Sequence, residues 1–290
     1  MADAASASSA LPDALRLGVA ELGVSDLGRS VAFYEGVVGL RTVDRAARVA
    51  TLGGADGSAV LRLVETPGAR PKPKDAPGLF HVAILVPERR DLAVVLARLA
   101  RDRVRLGASD HLVSEALYLD DPDGNGLEIY RDRPKAEWPY RDGALRMATE
   151  PMAAQEVLAE LSPGADLDAA MPGGTVVGHV HLQVGDLAAA RSFWIDAVGF
   201  ALTTTYPGAL FMSAGGYHHH VAANVWSSRG RGPAPEDVAG LRSFEAVLPD
   251  ANALDVVATR LEAGGVRGLR DERGVTASDP WGSTIVFVAP

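Results

Sequence analysis

The stretch Val24-Ser25-Asp26-Leu27-Gly28-Arg29-Ser30-Val31-Ala32-Phe33-Tyr34 has a counterpart later in the chain, Val184-Gly185-Asp186-Leu187-Ala188-Ala189-Ala190-Arg191-Ser192-Phe193-Trp194. The aspartate, the aromatic pair and a following glycine recur at an offset of 160 residues. A weaker match relates Asp121-Pro122-Asp123-Gly124-Asn125 to Asp279-Pro280-Trp281-Gly282-Ser283. Self-similarity at a fixed period is typical of repeat architectures. We therefore expect two similar halves, each made of two modules.

Each predicted module has the order strand, helix, then several strands. In the third module, residues 178–184 alternate in polarity as a half-buried strand does, and Asp186 stands at the N-cap of a helix predicted over 188–197. The second and fourth modules repeat this order, with helices predicted over 91–101 and 253–263. Further strands are predicted over residues 80–86, 114–119, 126–130, 203–206, 209–213, 221–226, 244–248 and 284–288.

Composition limits the class of protein. The 290 residues are 47% hydrophobic and 22% charged, which predicts a soluble globular protein of two domains. No apolar run is long enough for a membrane span, and the absence of cysteine fits a cytoplasmic protein. A net charge of −9 argues against nucleic-acid binding. The arginines between Arg89 and Arg105 are interpreted as the solvated face of a helix.

Two motifs and the module order carry a family resemblance. The Asp-Leu-x-x-Ser-x-x-Phe-Tyr segment of residues 26–34 and the Asp-Pro-x-Gly-x-x-x-Glu turn of residues 121–128 resemble the vicinal oxygen chelate superfamily. This superfamily includes glyoxalase I, fosfomycin- and bleomycin-resistance proteins and extradiol dioxygenases. The resemblance implies an α+β fold in which four tandem βαβββ modules form two cup-shaped, partly open mixed β-barrels.

The same resemblance divides the chain. Residues 1–14 are predicted to form a flexible tail, rather than a signal peptide. Residues 15–134 form an N-terminal domain with modules 1 and 2. Residues 135–174 form a linker, and residues 175–290 form a C-terminal domain with modules 3 and 4.

All seven histidines lie in or beside predicted strands between His81 and His220. Histidine is the commonest metal ligand in proteins. In the superfamily, ligands come from the start of a module's first strand and from its last strand. The first-strand positions here are Val19, His81, His179 and Ser243, and the last-strand positions are Arg62, Glu128, Ala222 and Val286. The resemblance therefore implies three metal ligands: His81, Glu128 and His179.

Two histidines and one carboxylate are the facial triad of non-haem Fe(II) oxygenases. The resemblance to extradiol dioxygenases implies Fe(II), with Mn(II) as a second choice. The triad is complete if modules 2 and 3 face each other, whereas pairing of module 1 with 2 and of 3 with 4 would split it. A lone strand histidine is usually a satisfied core group, but three coincident ligand positions favour a metal site.

The resemblance to extradiol dioxygenases also implies roles for further residues. His219 matches their acid/base histidine, and strand alternation would place it on the opposite face from His218 and His220. His111 and Tyr118 are interpreted as hydrogen-bond donors to the bound substrate, although a tyrosine packed in the core is an equal alternative for Tyr118. The predicted substrate contacts are His181, His218, His220 and Tyr130, and the side chains proposed to set ring size are Trp138, Trp226, Phe211 and Tyr130.

The resemblance implies an oxidoreductase, similar to the two-domain bacterial catechol-2,3-dioxygenase type. It would insert O2 into a catechol beside the two hydroxyls, so its partners would be a small aromatic diol and O2, with no nucleic acid and no membrane. The sequence does not determine the oligomeric state, and a homo-oligomer is one of the alternatives. Two alternatives remain: a glyoxalase-like isomerase or thiol transferase, which normally needs four protein ligands, and a non-catalytic small-molecule binding protein of the resistance type.

Overall fold

The computed structural model describes residues 10–290, which form nineteen β-strands and five α-helices. Most of these strands belong to two large sheets that share one apolar core. Within residues 10–290, no helix combines the length and apolarity needed to cross a membrane.

The first module shows how the repeated stretch folds. The Asp26 side chain accepts a hydrogen bond from the Arg29 backbone N–H and so caps the helix. The helix continues as a π-helical turn, Tyr34–Val38, and ends at Gly39, whose φ of 99° favours glycine. The elements are β1 (Arg16–Val24), α1 (Leu27–Phe33), β2 (Arg41–Arg45), β3 (Val49–Gly53) and β4 (Ala59–Glu65).

The second module has the predicted order and one strand more than was predicted. Its helix begins with a capping box between Glu88 and Asp91, and it buries one apolar face. The elements are β5 (Gly78–Leu85), α2 (Arg89–Arg101), β6 (Gly107–Asp110), β7 (Ser114–Asp120) and β8 (Gly126–Asp132).

The segment after the second module contains short elements, of which β11 pairs with the edge strand β6. The elements are the 3₁₀ turn Lys135–Glu137, β9 (Tyr140–Arg141), β10 (Ala144–Leu145), β11 (Glu150–Pro151) and α3 (Ala154–Leu158). The predicted linker is therefore attached to the sheet of the second module.

The third module repeats the first, including an aspartate cap at Asp186 and a π-helical turn, Ser192–Ala197. The elements of the third module are β12 (Val176–Gln183), α4 (Leu187–Arg191), β13 (Ala201–Tyr206), β14 (Ala209–Ser213) and β15 (Val221–Asn224). Those of the fourth are β16 (Gly240–Val247), α5 (Ala251–Ala263), β17 (Leu269–Asp271), β18 (Gly274–Ser278) and β19 (Thr284–Val288).

The modules pair across the two halves of the sequence. One sheet has the order β11-β6-β7-β8-β5-β12-β15-β14-β13, and the other has the order β17-β18-β19-β16-β1-β4-β3-β2. The antiparallel pair β5–β12 joins modules 2 and 3, and the pair β1–β16 joins modules 1 and 4. The expected facing of modules 2 and 3 is thus confirmed. Each half of the chain contributes one module to each sheet.

Two local predictions need correction. Arg98 is buried rather than solvated: its guanidinium donates to the backbone carbonyls of Val38, Leu167 and Ala169 and ties the segment before the third module to the first. At the N-terminus, residues 1–9 of the predicted tail lie outside the described residues. Leu11, from the remaining part of the tail, is buried in the core.

Candidate metal centre and active site

A cavity of about 360 Å³ lies in the sheet formed by modules 2 and 3. Its walls come from these two modules and from the linker segment between them. The cavity is lined by Phe80, His81, Ser109, His111, Ser114, Tyr118, Glu128, Met147, Ala148, Thr149, His181, Thr204, Thr205, Tyr206, Phe211, His219 and Trp226.

The three predicted metal ligands come together beside this cavity: His81 and Glu128 line it, and His179 is buried next to them. The distance from His81 Nε2 to Glu128 Oε2 is 2.9 Å, and that from His179 Nε2 to the same oxygen is 3.1 Å. The two Nε2 atoms lie 3.3 Å apart. All three side chains are buried, so the atoms form a compact triangle of two nitrogens and one oxygen.

Sheet register explains why these side chains meet. In the antiparallel pair β5–β12, Ala83 lies opposite His179 and His81 opposite His181. His81 and His179 therefore occupy equivalent positions on strands related by an approximate two-fold axis. The parallel pair β5–β8 places Glu128 beside Ala83, on the strand next to His81.

The register also confirms which positions correspond in the other modules. Residues paired in the same way as Ala83 and Glu128 are His181 with Ala222, Glu21 with Arg62, and Glu245 with Val286. Counting back two residues along each first strand gives His179, Val19 and Ser243. These are the positions assigned from the sequence.

Burial and mutual hydrogen bonds shift the pKa values of His179 and Glu128. Burial lowers the pKa of His179 to about 4, against the opposing attraction of Glu128, so the imidazole is neutral at neutral pH. Burial alone would raise the pKa of Glu128, but the hydrogen-bonded imidazoles of His179 and His81 bring it well below its usual value. Neutral imidazoles and an ionised carboxylate are the states that bind a metal. The Nδ1 atom of His179 is buried without a hydrogen-bond partner among residues 10–290.

The three consecutive histidines lie in an irregular turn that precedes β15, and not in the strand itself. His219 lines the cavity, and its ring centroid lies 4.0 Å from that of His179. Burial, aided by the neighbouring His179 and His218, lowers the pKa of His219 well below its usual value. The ring that matches an acid/base residue is thus neutral and faces the cavity.

His218 and His220, which were predicted to bind substrate, lie behind the cavity wall. His218 makes hydrogen bonds through both ring nitrogens, to Asp132 at 2.9 Å and to His219 at 2.7 Å. His220 Nδ1 accepts from the Ala214 backbone N–H, and burial lowers the pKa of His220 to about 3. His179, His218 and His219 also bring ligand atoms within 4.8 Å of one another, but the hydrogen bonds of His218 occupy both its nitrogens.

Tyr130, also predicted to contact substrate, is fully buried, and its hydroxyl is 2.7 Å from that of Tyr217. A Cβ at Gly178 would lie 1.8 Å from the Tyr130 hydroxyl, so only glycine fits beside this ring. Trp138 packs against His218 on the same buried side. Of the side chains proposed to set ring size, Phe211 and Trp226 line the cavity.

His111 and Tyr118 both line the cavity and bind each other. His111 Nδ1 donates to the Ala148 carbonyl at 2.6 Å, and its Nε2 lies 2.6 Å from the Tyr118 hydroxyl oxygen. The two residues were predicted to donate to the substrate. In the structure both nitrogens of His111 already have hydrogen-bond partners.

His181 lines the cavity as predicted, and Asn224 fixes its orientation. Asn224 Oδ1 accepts from the Trp226 backbone N–H, so its Nδ2 donates to His181 Nε2 at 3.0 Å. His181 Nε2 is therefore unprotonated, and its proton is on Nδ1. Asn224, Asp132 and Ala148 were missed from the sequence. A polar residue in the apolar run Val221–Asn224 was the signal for the first, whereas the other two have no local signal.

Comparisons with known proteins show the family of this chain. The model of the Glyoxalase/Bleomycin resistance protein/Dioxygenase superfamily matches residues 16–129 and 176–287. A catechol-2,3-dioxygenase of Bacillus subtilis (strain 168) is 41% identical over 278 residues, which cover 94% of this chain and 96% of the relative.

Solved structures show the same fold at lower identity. A protein of Bacillus subtilis subsp. subtilis str. 168, provisionally named a dioxygenase, has a TM-score of 0.68 and 15% identity, with 98% of this chain and 86% of that chain covered. Glyoxalase I from Zea mays has a TM-score of 0.55 and 16% identity, with coverages of 95% and 92%. The chain therefore belongs to the glyoxalase/bleomycin resistance protein/dioxygenase superfamily, in which its full-length relative marks it as an extradiol-type dioxygenase.

Proposed function

We propose that this protein cleaves catechols beside their two hydroxyls with O2, and that His81, His179 and Glu128 hold the Fe(II) that the reaction requires. The observation that carries the proposal is the triangle of ligand atoms beside the cavity, with sides of 2.9, 3.1 and 3.3 Å. Two imidazole nitrogens and one carboxylate suit non-haem iron, with Mn(II) as the second choice.

The residues present fit such an ion. Metal bonds to imidazole nitrogen and carboxylate oxygen are about 2.1 Å long, so neighbouring ligands on one octahedral ion lie about 3 Å apart. The three measured separations match this spacing. Bound here, the iron would chelate both diol oxygens and activate O2.

The surrounding side chains bind the ring and move its protons. Phe80, Phe211 and Trp226 provide apolar walls on either side of His181. His219, neutral and facing the cavity, accepts a proton from a diol hydroxyl and can return it later. The Tyr118 hydroxyl, which lines the cavity, forms a hydrogen bond with the other hydroxyl.

The cavity favours an uncharged catechol. Its lining within residues 10–290 contains no lysine or arginine, and Glu128 is its one carboxylate. A carboxylate on the substrate would lose its hydration without gaining a cationic partner, which costs several kcal/mol. We therefore infer that the substrate carries apolar rather than acidic substituents. We also propose that the protein works in the cytoplasm, because a chain without cysteine forms no disulfides and so needs no oxidising compartment.

The decisive experiment is anaerobic reconstitution with Fe(II), followed by catechol and air. We expect a yellow ring-cleavage product, with one O2 consumed per catechol. Protein that holds iron in the triad and leaves every neutral catechol intact would reject the proposal. The glyoxalase alternative is less well supported, because Ala222 stands where a fourth ligand from this sheet would lie.

A further inference from the structure

A chain of hydrogen bonds leads from His219 to a partly exposed carboxylate. His219 Nδ1 lies 2.7 Å from His218 Nδ1, and His218 Nε2 lies 2.9 Å from Asp132 Oδ1. The His218 ring is fully buried, whereas the Asp132 side chain is 23% exposed. Asp132 belongs to the second module and the histidines to the third, so this chain crosses the interface between the modules.

The carboxylate determines the direction of each hydrogen bond. An ionised carboxylate only accepts, so His218 Nε2 must carry a proton. In the neutral form of the His218 ring, this N–H is its single one, which leaves His218 Nδ1 as an acceptor. His219 Nδ1 donates to it in this state. The remaining nitrogen of His219, Nε2, is left with a free lone pair on a ring that lines the cavity.

Two tyrosines hold the carboxylate in place. The Tyr217 hydroxyl donates to Asp132 Oδ2 at 2.8 Å, so both carboxylate oxygens are engaged. Because the Tyr217 proton is used in this way, the Tyr130 hydroxyl donates to the Tyr217 oxygen. With a neutral His218, each hydrogen bond from Tyr130 and Tyr217 to Asp132, and from Asp132 through His218 to His219, has one donor and one acceptor.

We propose that Asp132 is a positioning residue that acts through His218 to set the tautomer of His219, with the proton on Nδ1 and the lone pair on Nε2. The tautomer of a histidine is set by the hydrogen bond that its other nitrogen makes. Here that influence is passed through a second imidazole. The inference rests on the proposed function, because a free Nε2 is the atom that takes the proton of a diol hydroxyl.

The tautomers can be observed directly. Nitrogen-15 NMR of histidine-labelled, metal-free protein distinguishes protonated from bare ring nitrogens, and the His219 signals are identified by their loss in His219→Gln. We expect Nδ1–H on His219 and Nε2–H on His218. A wild-type His219 that carries its proton on Nε2 would overturn the inference without any further variant.

Asp132→Ala then tests the role of the carboxylate. We expect mixed tautomers at His219 and a fall in kcat of about 10- to 100-fold, with KM and bound iron little changed. Tyr217→Phe is the matched control, because it removes a hydrogen bond to Asp132 and keeps the acceptor for His218; it should keep the wild-type tautomer. Asp132→Glu should restore part of kcat.

The readouts separate this inference from the proposed function. An Asp132→Ala protein with the wild-type His219 tautomer, or with unchanged kcat, would refute a positioning role. If iron-loaded wild-type protein cleaves no catechol, the proposed function fails, while the NMR measurement still decides the tautomer because it needs neither metal nor substrate.

Discussion

The two large sheets are built alike, yet they place different chemistry at the same positions. Where the β5–β12 sheet has His81, His179 and Glu128, the β1–β16 sheet has Val19 and Ser243 at the first-strand positions and Arg62 and Val286 at the last-strand positions.

In the β1–β16 sheet, the charged side chains near these positions have partners within the same sheet. Arg62 lies 3.4 Å from Glu21, and Glu245 accepts a hydrogen bond from the Val19 backbone N–H at 3.0 Å. One architecture therefore supports a candidate catalytic centre in one copy and an internally paired surface in the other. The side chains at a few register positions decide between them.

The largest expected effect comes from the corresponding last-strand residues. Glu128→Gln should remove the anionic ligand and lower iron binding and activity by about 10³-fold or more, because several kcal/mol of charge stabilisation are lost. Arg62→Gln, the matched change in the other sheet, should leave both unchanged. Elemental analysis and oxygen-uptake rates measure the outcome. Stoichiometric iron in Glu128→Gln would contradict the assigned difference between the sheets.

A second change separates proton transfer from metal binding within the β5–β12 sheet. His219→Gln should lower kcat by about 10²- to 10⁴-fold, the usual contribution of a positioned acid/base. Iron content should remain that of the wild type, since His219 is outside the triad. If iron is lost together with activity, His219 would have to be counted among the ligands.

The two Asp-Pro turns offer a comparison in stability. Asp121 accepts from two backbone N–H groups, the Asn125 side chain and the Tyr34 hydroxyl. Its counterpart Asp279 has one carboxylate oxygen without a partner among residues 10–290, and burial raises its pKa to about 6. Between about pH 4 and 6 the folded protein therefore holds a proton that the unfolded chain releases, and stability falls as pH rises.

The pH dependence of the free energy of unfolding can be measured. The Asp279 contribution should fall by about 2 kcal/mol between pH 4 and pH 7, in favour of the lower pH. Asp279→Asn should abolish that contribution, whereas Asp121→Asn should destabilise the protein throughout the range. Urea unfolding at several pH values compares the variants with the wild type. The same pH slope in Asp279→Asn and wild type would show that another group carries it.

The smallest expected effect concerns substrate charge. We expect kcat/KM for 4-ethylcatechol to exceed that for 3,4-dihydroxybenzoate by about 10- to 100-fold, because the acid would be buried unpaired. Thr204→Arg should narrow this ratio, and Thr204→Gln controls for size without charge. Equal rates for the two catechols in the wild type would show that the substrate carboxylate stays in solvent.

The sequence was most informative where side-chain identity follows a repeat. The cap at Asp186 and the helices α2 and α5 lie within a few residues of the prediction, because capping and periodicity are local properties. Arg98 was misjudged, because the carbonyls that surround it come from segments far along the chain.

The candidate site shows the same division. His81, Glu128 and His179 were found because they lie at equivalent points of a recurring module, and His219 was found from its resemblance to an acid/base residue. The donor roles of His111 and Tyr118 stay predictions, and in the structure the two side chains form hydrogen bonds with Ala148 and with each other. His218, His220 and Tyr130 had the right residue types but lie behind the wall.

By itself, the sequence determined the repeat, the fold family and the three side chains able to bind a metal, because each follows from residue type at a regular spacing. Only the tertiary structure decided that modules 2 and 3 pair, which brings ligands from distant segments within 3.3 Å of one another. It also decided which histidine nitrogens have hydrogen-bond partners. A tautomer depends on the partner of the other ring nitrogen, and for His219 that partner leads through His218 to Asp132, in another module.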